Sequence, residues 1–283
     1  MAEGVALAGE NALSLMEPLT KLAVQAGAAI LTVNRSTMGL NKKIDGSVVS
    51  DADTLADAII SEGLTKLAPE IPVLSEERTH LATRPYRDSF FLIDPLDGTR
   101  EFVSGTNEFT VNIALVTRGE PVLGIVVAPA LGIIWRGLVG HGAERLLATK
   151  DATVYGTPQP IRTRPHPGPS APWIVSVSRS HGDPNTEAFI ARRPGAIRQV
   201  LGSSIKFCRV AEGGADIYPR LSPTSEWDVA AGHAIVTAAG GLVIDGRGHP
   251  LRFGEKREDF LIQNFIAWGD PQAARDAAQT LDQ

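Results

Sequence analysis

Leu13, Leu15, Met16, Leu19, Leu22, Ala23, Ala26, Ile30 and Leu31 recur at the spacing of one helix face, which predicts a long amphipathic helix near the start of the chain. The first ten residues are expected to fray. A second helix is predicted from Ser50 or Asp51, carrying Leu55, Ile59, Ile60, Leu64 and Leu67 until Pro69 stops it. Lys42 to Val49 between them reads as a loop or short strand. From Ile71 the period changes. Ile71 to Leu74, Ser89 to Ile93, Phe109 to Thr117, Val122 to Ala128 and Ile133 to Val139 are strand candidates, several separated by turn residues such as Arg118-Gly119-Glu120-Pro121. The pattern is a helix pair against a mostly antiparallel sheet.

Prolines at 158, 160, 165, 167, 169 and 172 then mark a connector in which regular ladders are not expected to continue. A boundary near 165 divides an N-terminal α+β half (1–165) from a C-terminal α/β half (166–283), the two forming one compact unit. In the second half Trp173 to Val177, Ile197 to Leu201, Ile217-Tyr218, Leu242 to Ile244 and Phe260 to Trp268 read as strands. Asn185 to Ala191, Ser204 to Glu212, Asp228 to Ala239 and Pro271 to Leu281 read as helices. This alternation belongs to layered α/β units. There is no internal repeat.

Composition narrows the function. A chain of 283 residues has material for an enzyme core, and 27 basic against 32 acidic residues give a net charge of −5, which argues against general nucleic-acid binding. No stretch reaches the roughly 20 apolar residues of a membrane span, and Met1-Ala2-Glu3-Gly4 lacks a secretory signal pattern, so a cytoplasmic protein is expected. The single cysteine, Cys208, excludes an internal disulfide and a cysteine-cluster metal site. Among Ile205, Phe207 and Val210 it reads as a core residue rather than a nucleophile.

The chemistry is concentrated where the apolar run Ser89-Phe90-Phe91-Leu92-Ile93 gives way to Asp94-Pro95-Leu96-Asp97-Gly98-Thr99. Burying two like charges three residues apart is opposed by desolvation and repulsion unless a cation sits between them. The segment therefore calls for a divalent metal. A glycine turn opening into a helix offers unpaired N–H groups that favour a phosphate, so Gly98 and Thr99 add phosphoryl chemistry. Glu76, Asp53 and Asp228 each lie where an element ends and are candidates to join the pair. Magnesium, which takes carboxylate, water and phosphate oxygens, suits such a set, and a bridging aspartate suits paired ions. Taken singly, these residues have plainer readings: Asp53 follows Ser50 at capping-box spacing, Asp228 is a helix N-terminal carboxylate, and one of Glu76 and Glu77 is a solvated charge. The residues alone reach metal-dependent phosphate chemistry.

Asp94-Pro95-Leu96-Asp97-Gly98-Thr99, with Glu76 upstream and Trp227-Asp228-Val229-Ala230-Ala231-Gly232 downstream, resembles the lithium-sensitive, magnesium-dependent inositol monophosphatase superfamily. The closer likeness is to its bacterial 3'(2'),5'-bisphosphate nucleotidase branch. It rests on Pro72-Val73-Leu74-Ser75-Glu76-Glu77, Asp97-Gly98-Thr99-Arg100-Glu101-Phe102, Glu108-Phe109-Thr110-Val111-Asn112-Ile113-Ala114-Leu115, Ser178-Arg179-Ser180-His181, Gly202-Ser203-Ser204-Ile205-Lys206-Phe207-Cys208, Tyr218-Pro219-Arg220 and Pro223-Thr224. The likeness runs from about Leu19 to Trp268.

The resemblance implies a layered α/β/α/β/α sandwich and a phosphoric monoester hydrolase with two or three Mg2+ per site. Glu76, Asp94, the Leu96 carbonyl, Asp97 and Asp228 would be the metal ligands, with Asp94 bridging. Glu76 and the Asp53/Thr99 pair would orient an attacking water, with Gly98 and Thr99 at the phosphate and no phosphoenzyme formed. His181, Ser203, Lys206 and Arg220 would hold the nucleotide and its second phosphate. Lys206 taken alone reads as a solvated surface group. Inositol-specific relatives carry an acidic residue where this chain has Leu221, which disfavours a polyol substrate. The implied reaction is hydrolysis of adenosine 3',5'-bisphosphate to AMP, with 3'-phosphoadenylyl sulfate as a further substrate. An inositol or sugar phosphatase, or a regulatory binding protein on the same scaffold, is the alternative. The resemblance leaves open a homodimer and attachment to the inner face of the membrane.

Overall fold

The computed structural model describes residues 9–42, 48–81, 88–168, 171–255 and 260–279. In chain order the elements are α1 (Gly9–Thr32), β1 (Leu40–Lys42), β2 (Val48–Ser50), α2 (Asp51–Leu67), β3 (Val73–Ser75), β4 (Ser89–Asp97), α3 (Thr99–Val103) and β5 (Thr110–Thr117). There follow β6 (Glu120–Ala128), β7 (Ile133–Leu138), β8 (Gly142–Ala148), β9 (Val154–Ile161), β10 (Ile174–Ser178), α4 (Pro184–Ala191), β11 (Ile197–Leu201) and α5 (Ile205–Ala211). The chain closes with β12 (Ile217–Arg220), β13 (Thr224–Ser225), α6 (Glu226–Ala238), β14 (Leu242–Ile244), β15 (Leu261–Ile262), β16 (Phe265–Trp268) and α7 (Pro271–Gln279). The stretch expected to fray lies mostly outside the described residues.

Two sheets organise these elements. The larger has the order β3-β4-β5-β6-β7-β8-β9, antiparallel except for the parallel β3–β4 pair. The smaller has the order β11-β10-β12-β16-β14, with β10 parallel to β11 and β12. Alternation along β4 assigns its faces: Phe91 and Ile93 pack on α1 and α2, through Leu19, Ala23, Ile60 and Leu64. Phe90 and Leu92 face the other way, onto α5 and α6, whose far sides meet Tyr218, Val243 and Phe265 of the smaller sheet. A third cluster, with Ile190, Ala273 and Ala274 from α4 and α7, covers that sheet's outer face. The result is the expected α/β/α/β/α layering, and the middle helices share one core with both sheets.

Cys208 sits in that core fully buried, and burial pushes its thiol well above the ordinary range, as a structural cysteine requires. No described helix is long and apolar enough to cross a membrane.

Two expectations need correction. The proline-marked connector was expected to interrupt the ladder, yet Pro158 and Pro160 lie within β9. Among the described residues that strand pairs only with β8, so as an edge it tolerates residues that cannot donate. The single strand expected from Phe260 to Trp268 is divided into β15 and β16, and between them the Asn264 side-chain oxygen accepts from the Gly246 N–H at 2.6 Å.

The middle layer is pressed hardest at Gly124 of β6, where a Cβ would stand 2.2 Å from the Ala231 carbonyl oxygen of α6. Gly124→Ala is expected to lower stability by about 1 to 3 kcal/mol, read as a shifted denaturant midpoint. An unchanged midpoint would mean that α6 has room to retreat.

Candidate active site

Asp94 and Asp97 are an odd number of residues apart, so a regular strand would point them to opposite faces. The ladder avoids this. Asp94 pairs with Asn112 and Asp97 with Thr110, which inserts one extra residue into β4 and returns both carboxylates to the side facing α6. Asp228, in the first turn of α6, completes a group whose ligand oxygens all lie within 4.8 Å of one another. Glu76, at the end of β3, lines the same cleft of about 610 Å³ and is the strongest of the neighbouring charges acting on Asp94.

Neutral donors hold these carboxylates in place. Asp97 accepts from Ser204 Oγ at 2.7 Å and from Asn112 Nδ2 at 3.2 Å, and that amide also reaches Ser204 Oγ at 2.9 Å. Asp94 accepts from the Leu96 N–H at 3.0 Å, while Asp228 accepts from Thr224 Oγ1 and from the Ser225 N–H. None of these donors is a cation. A cluster of oxygen donors so arranged fits a hard divalent ion.

Asp53 satisfies both of its sequence readings at once. It accepts from Ser50 N and Ser50 Oγ, forming the capping box of α2, and its other oxygen accepts from Thr99 Oγ1 at 3.0 Å. Thr99 Oγ1 also lies 3.2 Å from the Leu96 carbonyl oxygen. Gly98 makes this turn with φ +92°, where a Cβ would stand 3.2 Å from the Glu108 carbonyl.

The opposite end of the cleft is cationic. Lys206 was expected, taken alone, to be solvated; instead it is 3% exposed, because α5 packs it between the two sheets with its Nζ donating to the Ser203 carbonyl and facing the Tyr218 ring. Burial lowers its pKa to about 8, against the pull of Asp97. Burial acts to lower Arg220 as well, but Tyr218 and Asp228 outweigh it and hold that guanidinium above its ordinary value. Among the described residues neither cation lies within ion-pair distance of a carboxylate. His181, lowered by burial and then by Arg220 and Arg100, lines the same end with Ser203. Ser203 has φ +47° and a buried hydroxyl with no partner among the described residues. Leu221 lies outside the cleft, against the cluster that covers the outer face of the smaller sheet.

The structure thus brings Glu76, Asp94, Leu96, Asp97, Gly98, Thr99, His181, Ser203, Lys206, Arg220 and Asp228 around one cleft, with Asp53 behind Thr99. Sequence reasoning gave no site role to Asn112, Ser204 or Thr224. For Asn112 a signal existed, a lone amide inside the apolar run Val111-Asn112-Ile113-Ala114-Leu115.

Fold and cleft together define a layered α/β protein with a cation-seeking acidic centre beside an anion-seeking one. The chain belongs to the inositol monophosphatase family, whose model matches residues 15–281. The 3'(2'),5'-bisphosphate nucleotidase CysQ of Shigella flexneri is 39% identical over 260 residues, spanning 89% of this chain and 98% of that protein. The CysQ of Salmonella typhimurium is 42% identical with the same coverage. The crystal structure of CysQ from Bacteroides thetaiotaomicron superposes with a TM-score of 0.73 at 34% identity, covering 90% of this chain and 97% of that one. The expected likeness to the nucleotidase branch is therefore borne out.

Burial, then Glu76 and Asp97, push Asp94 well above the usual carboxylate range, and burial followed by Asp97 raises Asp228 to about 6. A carboxylate raised in the folded state binds its proton more tightly there than in the unfolded chain. Without a cation the fold must therefore lose stability as pH rises from about 4 through those raised values. In EDTA, Asp94→Asn is expected to raise the denaturation midpoint relative to wild type at pH 8 and much less at pH 5. A divalent cation at pH 8 should stabilise wild type but not the variant. Equal effects of the substitution at both pH values would contradict this account.

Proposed function

We propose that this protein is a magnesium-dependent 3'(2'),5'-bisphosphate nucleotidase, releasing phosphate from adenosine 3',5'-bisphosphate to leave AMP and accepting 3'-phosphoadenylyl sulfate as well. The observation that carries the reading is the two-ended cleft. Among the described residues the Asp94, Asp97 and Asp228 carboxylates have no cation within ion-pair distance, and opposite them stand two cations, buried Lys206 and half-buried Arg220, with no carboxylate within that distance. A substrate with a phosphate at each end answers both. The nucleotidases named among the relatives support the same choice.

Two or three Mg2+ held by Glu76, Asp94, the Leu96 carbonyl, Asp97 and Asp228 would neutralise the transferred phosphate and acidify the attacking water. Thr99 has one hydroxyl proton and two acceptors in reach, Asp53 and the Leu96 carbonyl. Donating it to Asp53 leaves a lone pair of Thr99 free to accept from the water, with Glu76 as the second orienting group. Gly98 and Thr99 N–H groups meet the phosphate being cleaved. The AMP portion rests against His181 and Ser203, with Lys206 and Arg220 on the retained 5'-phosphate through charge-assisted bonds. Water attacks in line, the bond from phosphorus to the ribose 3'-oxygen breaks, and that oxygen takes a proton.

Phosphate release in Mg2+ is expected to be faster from adenosine 3',5'-bisphosphate than from inositol 1-phosphate, and to fall in millimolar lithium. A faster rate on inositol 1-phosphate would overturn the reading. Lys206→Met should raise KM for the bisphosphate by about tenfold or more, the loss of a charge-assisted bond. Thr99→Val should instead lower kcat by about a hundredfold or more, with KM nearly unchanged. Steady-state kinetics on the three proteins separates these roles.

A further inference from the structure

Three residues with no role in the scheme above, Glu108, Arg179 and Gly202, meet at one point. Glu108, just before β5, accepts from Arg179 through both carboxylate oxygens, with distances of 2.9 to 3.1 Å. It also accepts from the Gly202 N–H at 2.7 Å. Arg179 in turn donates to the Val200 carbonyl at 3.1 Å, and its own N–H to the Leu201 carbonyl at 3.0 Å. One carboxylate from the larger sheet therefore ties together the loops that follow β10 and β11 of the smaller one. The approach is close: a Cβ on Gly202 would stand 2.6 Å from the Glu108 carbonyl oxygen and 2.8 Å from Cγ of Glu101. Glu101, itself buried, accepts from Ser180 Oγ at 2.5 Å alongside.

Stability alone does not account for this arrangement. The Arg179–Glu108 pair is bidentate but partly exposed, at 43% and 23%, so solvent screens it. Geometry does explain it. The residue after Gly202 is Ser203, a non-glycine residue in the left-handed region with an unpartnered hydroxyl that lines the cleft. Strained backbone of this kind persists only where its surroundings fix it from several sides. Here Glu108 fixes Gly202 on one side. On the other, Lys206 Nζ takes the Ser203 carbonyl and Ser204 Oγ binds Asp97.

We propose that Glu108 is a positioning residue: by clamping Arg179 and the Gly202 amide it holds Ser203 and His181 in place for the nucleotide, and so sets the preference for a bisphosphate over a monophosphate. This deepens the nucleotidase reading and rests on it. Among the described residues no hydrogen bond or ion pair joins Glu108 to Asp94, Asp97, Asp228 or Thr99, so the phosphate common to both substrates should be handled nearly as before. The retained 5'-phosphate, which depends on Lys206 and so on the 201–206 loop, should not.

The test compares kcat/KM for adenosine 3',5'-bisphosphate and adenosine 3'-monophosphate in wild type, Glu108→Ala and Glu108→Gln, with Mg2+ throughout. Glu108→Ala should cut the bisphosphate value by between about tenfold and about a hundredfold, mainly through KM, while the monophosphate value falls by no more than about threefold. Glu108→Gln keeps an oxygen for the Gly202 N–H but loses the ion pair, and should fall between. Equal losses on the two substrates in both variants, or no loss in either, would overturn the proposal. The wild-type arm judges the underlying reading separately, because a wild type that hydrolyses inositol 1-phosphate faster than the bisphosphate would overturn the nucleotidase assignment and this proposal together.

Discussion

Mutual repulsion among clustered carboxylates, Asp94 buried and Asp97, Asp228 and Glu76 half-buried, is the constraint on which the rest of the structure depends. Asp94 is essentially without solvent, and Asp97, Asp228 and Glu76 all act to raise it. A fold left to itself would separate such groups. This one holds them together with a strand bulge and a set of hydroxyl and amide donors that carry no charge. Those donors fix position without cancelling the negative potential. The potential is left for an exogenous cation, and the layers around it supply the rigidity that keeps the groups from moving apart.

The same constraint accounts for how the two sheets share their work. The larger sheet delivers the acidic end from β3, β4 and α3, where apolar strands give the carboxylates little freedom. The smaller sheet delivers Arg220, His181 and Ser203 from strand ends and the following turns, while Lys206 comes from α5. The middle layer touches both. Asp228 enters from α6 and Ser204 from the start of α5, so the helices that fill the shared core also register the two ends of the cleft against each other.

The features most legible in the sequence were those that contradict simple burial. Asp94 and Asp97 stood out because apolar residues led straight into them, and the helical periods of α1, α2 and α6 were plain. The less legible features depended on neighbours distant in sequence. Lys206 could not be seen as buried, because its burial comes from Tyr218 and the packing of α5 between sheets. Ser204 and Thr224 are ordinary hydroxyls until Asp97 and Asp228 are placed beside them. β9 was hidden because proline argues against a strand in general but not against an edge, and edge status is a property of topology rather than of local pattern.

That edge has a consequence of its own. β9 closes one side of the seven-stranded sheet and is exposed along most of its length, the kind of border onto which a second extended chain could add itself. Pro158 and Pro160 remove two backbone donors two residues apart, and Gly156, with φ +81°, bends the strand as well. An incoming strand would find the row of donors broken there. The prolines that obscured β9 in the sequence thus guard the folded protein against sheet-to-sheet aggregation at its most open border.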